Sequence, residues 1–273
     1  MAFEVASVKP SMEFRPPLFP LDVRNAKSPG GRFFARASLW IYIAFAYKLS
    51  PPDERQQAQL PKWVSTDLFE IEARAQGNPT KDQMRLMMQS LLADRFKLAV
   101  HFESREAAVF DLVLVKPTKP GPQLRPHAEG PPCSDSFTLG AAPPVPGEVF
   151  PPYCDTASMR AINGVRMVGS RNVTMPFVAD AIRSYGGMAG EVDRWVVDRT
   201  GLNGKFDLTI EYGPGESDQF RRPGPPNPDA PPPDSQGTPF LNAVREQLGL
   251  KLVSSKASIR MLVVDHVERP SEN

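Results

Sequence analysis

Alternation of apolar and polar positions is sharpest over 204–213, "GKFDLTIEYG", where Phe206, Leu208, Ile210 and Tyr212 are separated by Asp207, Thr209 and Glu211. A period of two sends one set to a buried face and the other to water, which predicts a half-buried strand. The same pattern runs over 67–75, with Phe69, Ile71 and Ala73 set against Glu70, Glu72 and Arg74. It recurs where Phe96, Leu98, Val100 and Phe102 alternate with Lys97, His101 and Glu103. Glu70, Glu72, Asp207 and Glu211 therefore read as solvated members of polar strand faces.

The period lengthens between these strands. Met84, Met87, Met88, Leu91 and Leu92 recur at helical spacing after Thr80, and Thr80 with Gln83 fits a capping box. Phe240, Leu241, Val244 and Leu248 form a second stripe, with Thr238 read as N-cap, Pro239 as the first helical residue and Gly249 as the stop. Upstream, "GGRFFARASLWIYIAFAYKL" (30–49) and "NGVRMVGSRNVTMPFVADAIRSYG" (163–186) each read as a Gly-led strand, a Ser or Thr cap and a helix.

These elements recur in one order in both halves, and "FKL" and "LKL" follow the second helix of each. The expected fold is α+β: two tandem pseudo-repeats of β-α-β-α-β-β type, with mixed or antiparallel sheets and helices packed on one face. The first repeat is placed at 1–116, a Pro-rich connector at 117–160 and the second repeat at 161–273. Within the second, "GPGESDQFRRPGPPNPDAPPPDSQG" (213–237) is a Pro-rich insertion without the makings of a packed element.

Composition narrows the classes. The chain has 273 residues, 41% of them hydrophobic, with 32 basic against 31 acidic side chains. That balance gives no electrostatic footprint for nucleic acid. No apolar run reaches the roughly 18–20 residues of a membrane-spanning helix, and "ASLWIYIAFAY" (37–47) reads instead as a buried helix. The chain opens on strand-like "FEVASVKP" without a charged and apolar leader, so it is either cytosolic or a mature form after export. Cys133 and Cys154 are read as a disulfide, which favours an oxidising compartment, with two reduced thiols as the alternative.

Familiar chemistries find little purchase. There is no HExxH, paired-Cys zinc spacing, EF-hand loop, GxSxG elbow or GxGxxG, and "SPGGR" (28–32) lacks the Lys and Ser/Thr of a phosphate loop. His101 reads as solvent-facing and His266 as closing the last strand beside Asp265. His127 lies near Cys133, but a zinc site would need a second histidine beside it. Asp193 and Asp198 lack the further oxygens that calcium requires. No metal site or cofactor is assigned, and a bound divalent ion stays open.

The remaining candidate is "VVDRTGLNG" (196–204), whose glycines and asparagine suit a tight turn into the following strand. Asp198 and Arg199 precede the turn, where the readings are capping of the loop, pairing with neighbouring groups, or contact with a ligand in a cleft between the halves. The structural turn is the plainer reading, and for a bound ligand these two are the residues singled out as contacts. Catalytic residues are not identified.

Four stretches carry a resemblance: "FEVASVKPS" (3–11), "QMRLMMQSLLADRFKLAVHFESREAAVFDLVLVK" (83–116), "VVDRTGLNGKFDLTIEY" (196–212) and "FLNAVREQLGLKLVSSKASIRMLVVDHVERPSEN" (240–273). Together they make the chain similar to the Solibacter-type proteins of unknown function, an exported family expanded in soil acidobacteria. Its units are also similar in pattern to the short N-terminal domains of secretins and TonB-dependent receptors. The resemblance implies a periplasmic or extracellular domain that binds or senses a small molecule or an envelope protein. The alternatives are a hydrolase of an ester or lactone, such as an acylated signal molecule, aided by a divalent ion, and an envelope scaffold using the Pro-rich arm.

Overall fold

The computed structural model describes residues 1–14, 29–49, 59–128, 130–133, 149–162, 165–213 and 238–270. The chain divides into one unit of Met1–Arg105 with Ser258–Asn273 and another of Glu106–Ala257.

In the first unit, β1 (Val5–Ser11), β2 (Arg32–Ser38) and β3 (Leu68–Arg74) form an antiparallel sheet in the order β1-β3-β2. Register places Val8, Ile71 and Ala35 in one row and Lys9, Glu70 and Arg36 in the next. The first row is buried, as alternation demands. The second faces outward, where Arg36 Nε lies 2.6 Å from Glu70 and Arg32 Nη2 lies 3.0 Å from Glu72. These glutamates are members of a charged outer face.

Helix α1 (Leu39–Tyr47) contains no charged residue, and Leu39, Trp40, Tyr42, Ile43, Phe45 and Ala46 are buried. A nine-residue helix this apolar is stable only inside a core. Its last carbonyls are satisfied by side chains: Arg85 Nε donates to Phe45 O at 3.1 Å and Gln89 Nε2 to Ala46 O at 2.8 Å. Those donors sit on α3 (Lys81–Arg95), which follows the short α2 (Trp63–Thr66) and β3. The capping box of α3 is complete, with Gln83 N donating to Thr80 Oγ1 and Thr80 N donating to Gln83 Oε1.

Two long strands, β4 (Ala99–Leu114) and β10 (Leu250–His266), contribute residues to both units. The second unit also holds β5 (Leu124–Pro126), β6 (Thr156–Ile162), β7 (Val165–Val173), α4 (Met175–Met188), β8 (Trp195–Asp198), β9 (Phe206–Tyr212) and α5 (Phe240–Gln247). One sheet runs β5-β9-β7-β6, antiparallel throughout, and another runs β10-β4-β8 with β4 and β8 parallel. Phe206, Leu208, Ile210 and Tyr212 all enter the core, where Tyr212 meets Phe240 edge-on at 4.9 Å. The protein is α+β.

Three local expectations are revised. The connector read at 117–160 supplies β5 and most of β6. Helix α5 starts at Phe240, so Pro239 and not Thr238 holds the N-cap position. Ser38 and Thr174 stand at the N-caps of α1 and α4 with extended backbone, yet neither side chain makes a capping bond. The insertion read at 213–237, the segment of the scaffold arm, lies from residue 214 onward outside the described residues.

The cysteines are joined: Cys133–Cys154 is a disulfide, closing a separation of 21 residues. The segment leading to Cys154 packs against β7, where a Cβ on Gly169 would come within 2.8 Å of the Phe150 ring. Glycine is required there by close approach. Arg160 stacks on the same ring, its guanidinium carbon 4.2 Å from the centroid.

Candidate functional site

Strand β8 ends where the sequence singles out Asp198 and Arg199, and the two side chains take different roles. Asp198 Oδ1 accepts from Thr200 N at 2.9 Å and Thr200 Oγ1 at 2.7 Å, and Thr200 Oγ1 accepts from Leu202 N at 3.2 Å. With Gly201 at φ 71°, this is a self-capped turn in which Asp198 holds the backbone. Arg199 N donates to Leu112 O at 2.9 Å, extending the parallel ladder by one bond. Its side chain is 60% exposed.

Arg199 leans toward Asp111 of β4, with 3.9 Å between Nε and Oδ1. That separation is an ion pair but too long for a hydrogen bond. Asp111 Oδ1 is itself buried and accepts no hydrogen bond among the described residues. Register pairs Val109 with Trp195 and Asp111 with Val197, so these four side chains share one face of β4 and β8. The Arg183 guanidinium carbon sits 3.6 Å from the Trp195 ring centroid. A buried carboxylate oxygen without a donor, beside an exposed guanidinium and an apolar wall, is an arrangement with unspent hydrogen-bonding capacity. The sequence carries one signal for Asp111, a lone carboxylate within the apolar run "AAVFDLVLV" (107–115).

A second polar cluster gathers beside the disulfide. His127 Nδ1 lies 2.7 Å from Asp207 Oδ1, which also accepts from Asn172 N at 2.8 Å. A carboxylate only accepts, so Nδ1 carries the proton in this contact and Nε2 points away from Asp207. Lys205 Nζ donates to Asp155 Oδ1 at 3.1 Å and to Asn172 O at 2.9 Å. Asp155 follows Cys154, and both Asp155 and Asn172 have φ 56°. A left-handed backbone at two non-glycine residues marks a cluster fixed by its surroundings. Asp207 is thus engaged in this network, where the sequence places it on a wet strand face. The partners Asp155, Asn172 and Lys205 carry no mark in the sequence, since alternation says nothing of contacts between distant loops.

The other sequence candidates stay apart from these clusters. His101 Nδ1 lies 2.8 Å from Asp265, and both are about half exposed. His266 Nε2 pairs with Glu268 at 2.7 Å rather than with Asp265. Asp193 pairs with its neighbour Arg194 at 2.8 Å. No group of three or more His, Cys, Asp or Glu among the described residues is placed to hold a metal ion.

No helix among the described residues is long and apolar enough to cross a membrane. No curated protein and no solved structure gives a significant match to the chain. A family model does match, over residues 41–267, and on that span the chain belongs to the family described as protein of unknown function (DUF3738).

Proposed function

We propose that this chain is an exported, non-catalytic domain that binds a small molecule at the carboxyl ends of β4 and β8. The observation that carries the reading is Asp111 Oδ1, buried without a hydrogen bond, with the exposed Arg199 beside it. Asp198 supports the site by holding the turn that presents Arg199. The disulfide favours an extracytoplasmic location, as does the resemblance to exported Solibacter-type proteins. The order β2-α1-β3-α3 in one unit, with the short α2 between α1 and β3, and β7-α4-β9-α5 in the other, with β8 between α4 and β9, supports an origin by tandem duplication. A thermal-shift screen against amino acids, sugars and dicarboxylates should find a ligand that raises Tm. Arg199→Gln should erase that rise while leaving the ligand-free Tm unchanged. Turnover by the pure protein that one substitution abolishes would refute the non-catalytic reading.

A second reading, hydrolysis of an ester or lactone, is favoured by the His127–Asp207 pair. A histidine fixed through Nδ1 by a carboxylate presents Nε2 as a general base for water. The assay is release of product from p-nitrophenyl butyrate and from an N-acyl lactone. Activity must fall by at least about a hundredfold, the low end for a general base, in both His127→Gln and Asp207→Asn. Activity that survives in either excludes this dyad.

A further inference from the structure

The chemistry at the ends of β4 and β8 specifies more than a small molecule. We propose that Asp111 and Arg199 recognise an α-amino-acid head group, the ammonium at Asp111 and the carboxylate at Arg199. The inference rests on the binding reading above and names the class of ligand for that same site.

Asp111 Oδ1 is a buried acceptor on a charged group, and its strongest partner is a cationic donor. Arg199 offers five donors in a planar fork suited to a carboxylate. With Nε 3.9 Å from Oδ1 and most of the side chain exposed, Arg199 can turn toward a ligand without breaking a hydrogen bond to Asp111. Its backbone stays fixed through the bond to Leu112 O. Two opposite charges side by side match a zwitterion and disfavour a dianion or a simple amine, each of which leaves one site group facing a like charge or no partner. Val197 and Trp195, on the face of Asp111, supply an apolar wall for a ligand side chain. Arg183 is a second cation at this wall, stacked on the Trp195 ring. That cation is engaged by the ring, whereas Arg199 is 60% exposed at the mouth of the turn.

The test is a titration of the full chain, labelled with nitrogen-15, with L-leucine, 4-methylpentanoate and isopentylamine. The last two lack the ammonium and the carboxylate respectively. L-leucine should give saturable shifts at the amides of Asp111, Val197 and Arg199. Each analogue should bind at least about tenfold more weakly, because a site built on paired groups rejects a ligand lacking one. Arg199→Gln should weaken L-leucine by at least about tenfold, and Asp111→Asn should do so without disturbing the ligand-free spectrum beyond its neighbours. Equal binding of either analogue overturns the head-group assignment. So do L-leucine shifts confined to other residues, or none at all. The binding reading survives those outcomes if another ligand from the thermal-shift screen still depends on Arg199, and falls with them if none does.

Discussion

Tyr42 shows how much one hydroxyl can decide at the scale of a residue. It is 1% exposed, and its Oη lies 2.9 Å from Ala35 O and 2.8 Å from Phe69 O, carbonyls on two neighbouring strands. One proton shared between two buried acceptors ties α1 to the sheet. Burial pushes the phenol well above its ordinary value of 10.0. The raised folded value fixes the sign: the stabilisation is fully present below pH 10.0 and is lost as pH rises from there toward the folded value. Tyr42→Phe should therefore cost about 1–2 kcal/mol in urea unfolding at pH 7 and lessen the loss of stability at alkaline pH. An unchanged alkaline profile would mean that Tyr42 is not the group responsible. Legibility at this scale is uneven. Asp198 can be read as a turn residue because the turn it holds, through Thr200 to Leu202, is written in adjacent positions. Asp111 cannot be read as the neighbour of Arg199, since their approach depends on a parallel pairing of strands remote in sequence.

Elements are legible where their stabilising contacts are local. The capping box of α3 and the alternation of β3 and β9 are written in adjacent residues, and both are present. Strands β6 and β8 escape a reading of the sequence because Pro-rich surroundings hide the first and a length of four residues hides the second. Helix α5 illustrates a start signal supplied from elsewhere. Its N-cap, Pro239, has no side-chain acceptor to offer the orphan N–H groups. Glu191 takes that place: Oε1 accepts from Phe240 N at 2.8 Å and Oε2 from Leu241 N at 3.0 Å. A carboxylate at this end also meets the positive pole of the helix. Glu191→Ala should cost about 1–2 kcal/mol and speed amide exchange in α5 more than in α4. Equal acceleration in both helices would show that Glu191 acts on the packing of the unit rather than on the cap.

At the scale of the whole molecule, each unit has its own hydrophobic cluster, one built around Phe33, Ile43 and Leu92 and the other around Ile210, Phe240 and Leu248. The alternating periods make the α+β class legible, while β4 and β10 are single long strands whose residues fall in both units. The disulfide belongs wholly to the second unit, as do the residues anchored near it. Arg171 Nη2 donates to Pro131 O at 2.6 Å, Asp155 N donates to Arg171 O at 2.8 Å, and Phe150 occupies the space left by Gly169. Closing a loop of this length removes about 3 kcal/mol of denatured-chain entropy in the chain-entropy model. Replacing both cysteines by serine should lower the stability of the second unit by about that amount. Native-state hydrogen exchange on the intact chain reads the effect locally: protection at Val168 and Ile210 should drop by roughly two orders of magnitude, as about 3 kcal/mol implies at about 1.4 kcal/mol per tenfold change. Amides of Ile71 and Leu92 should keep their protection. A parallel loss at those two positions would instead mean that both units unfold in one cooperative step, and the division of the chain would then be one of packing and not of stability.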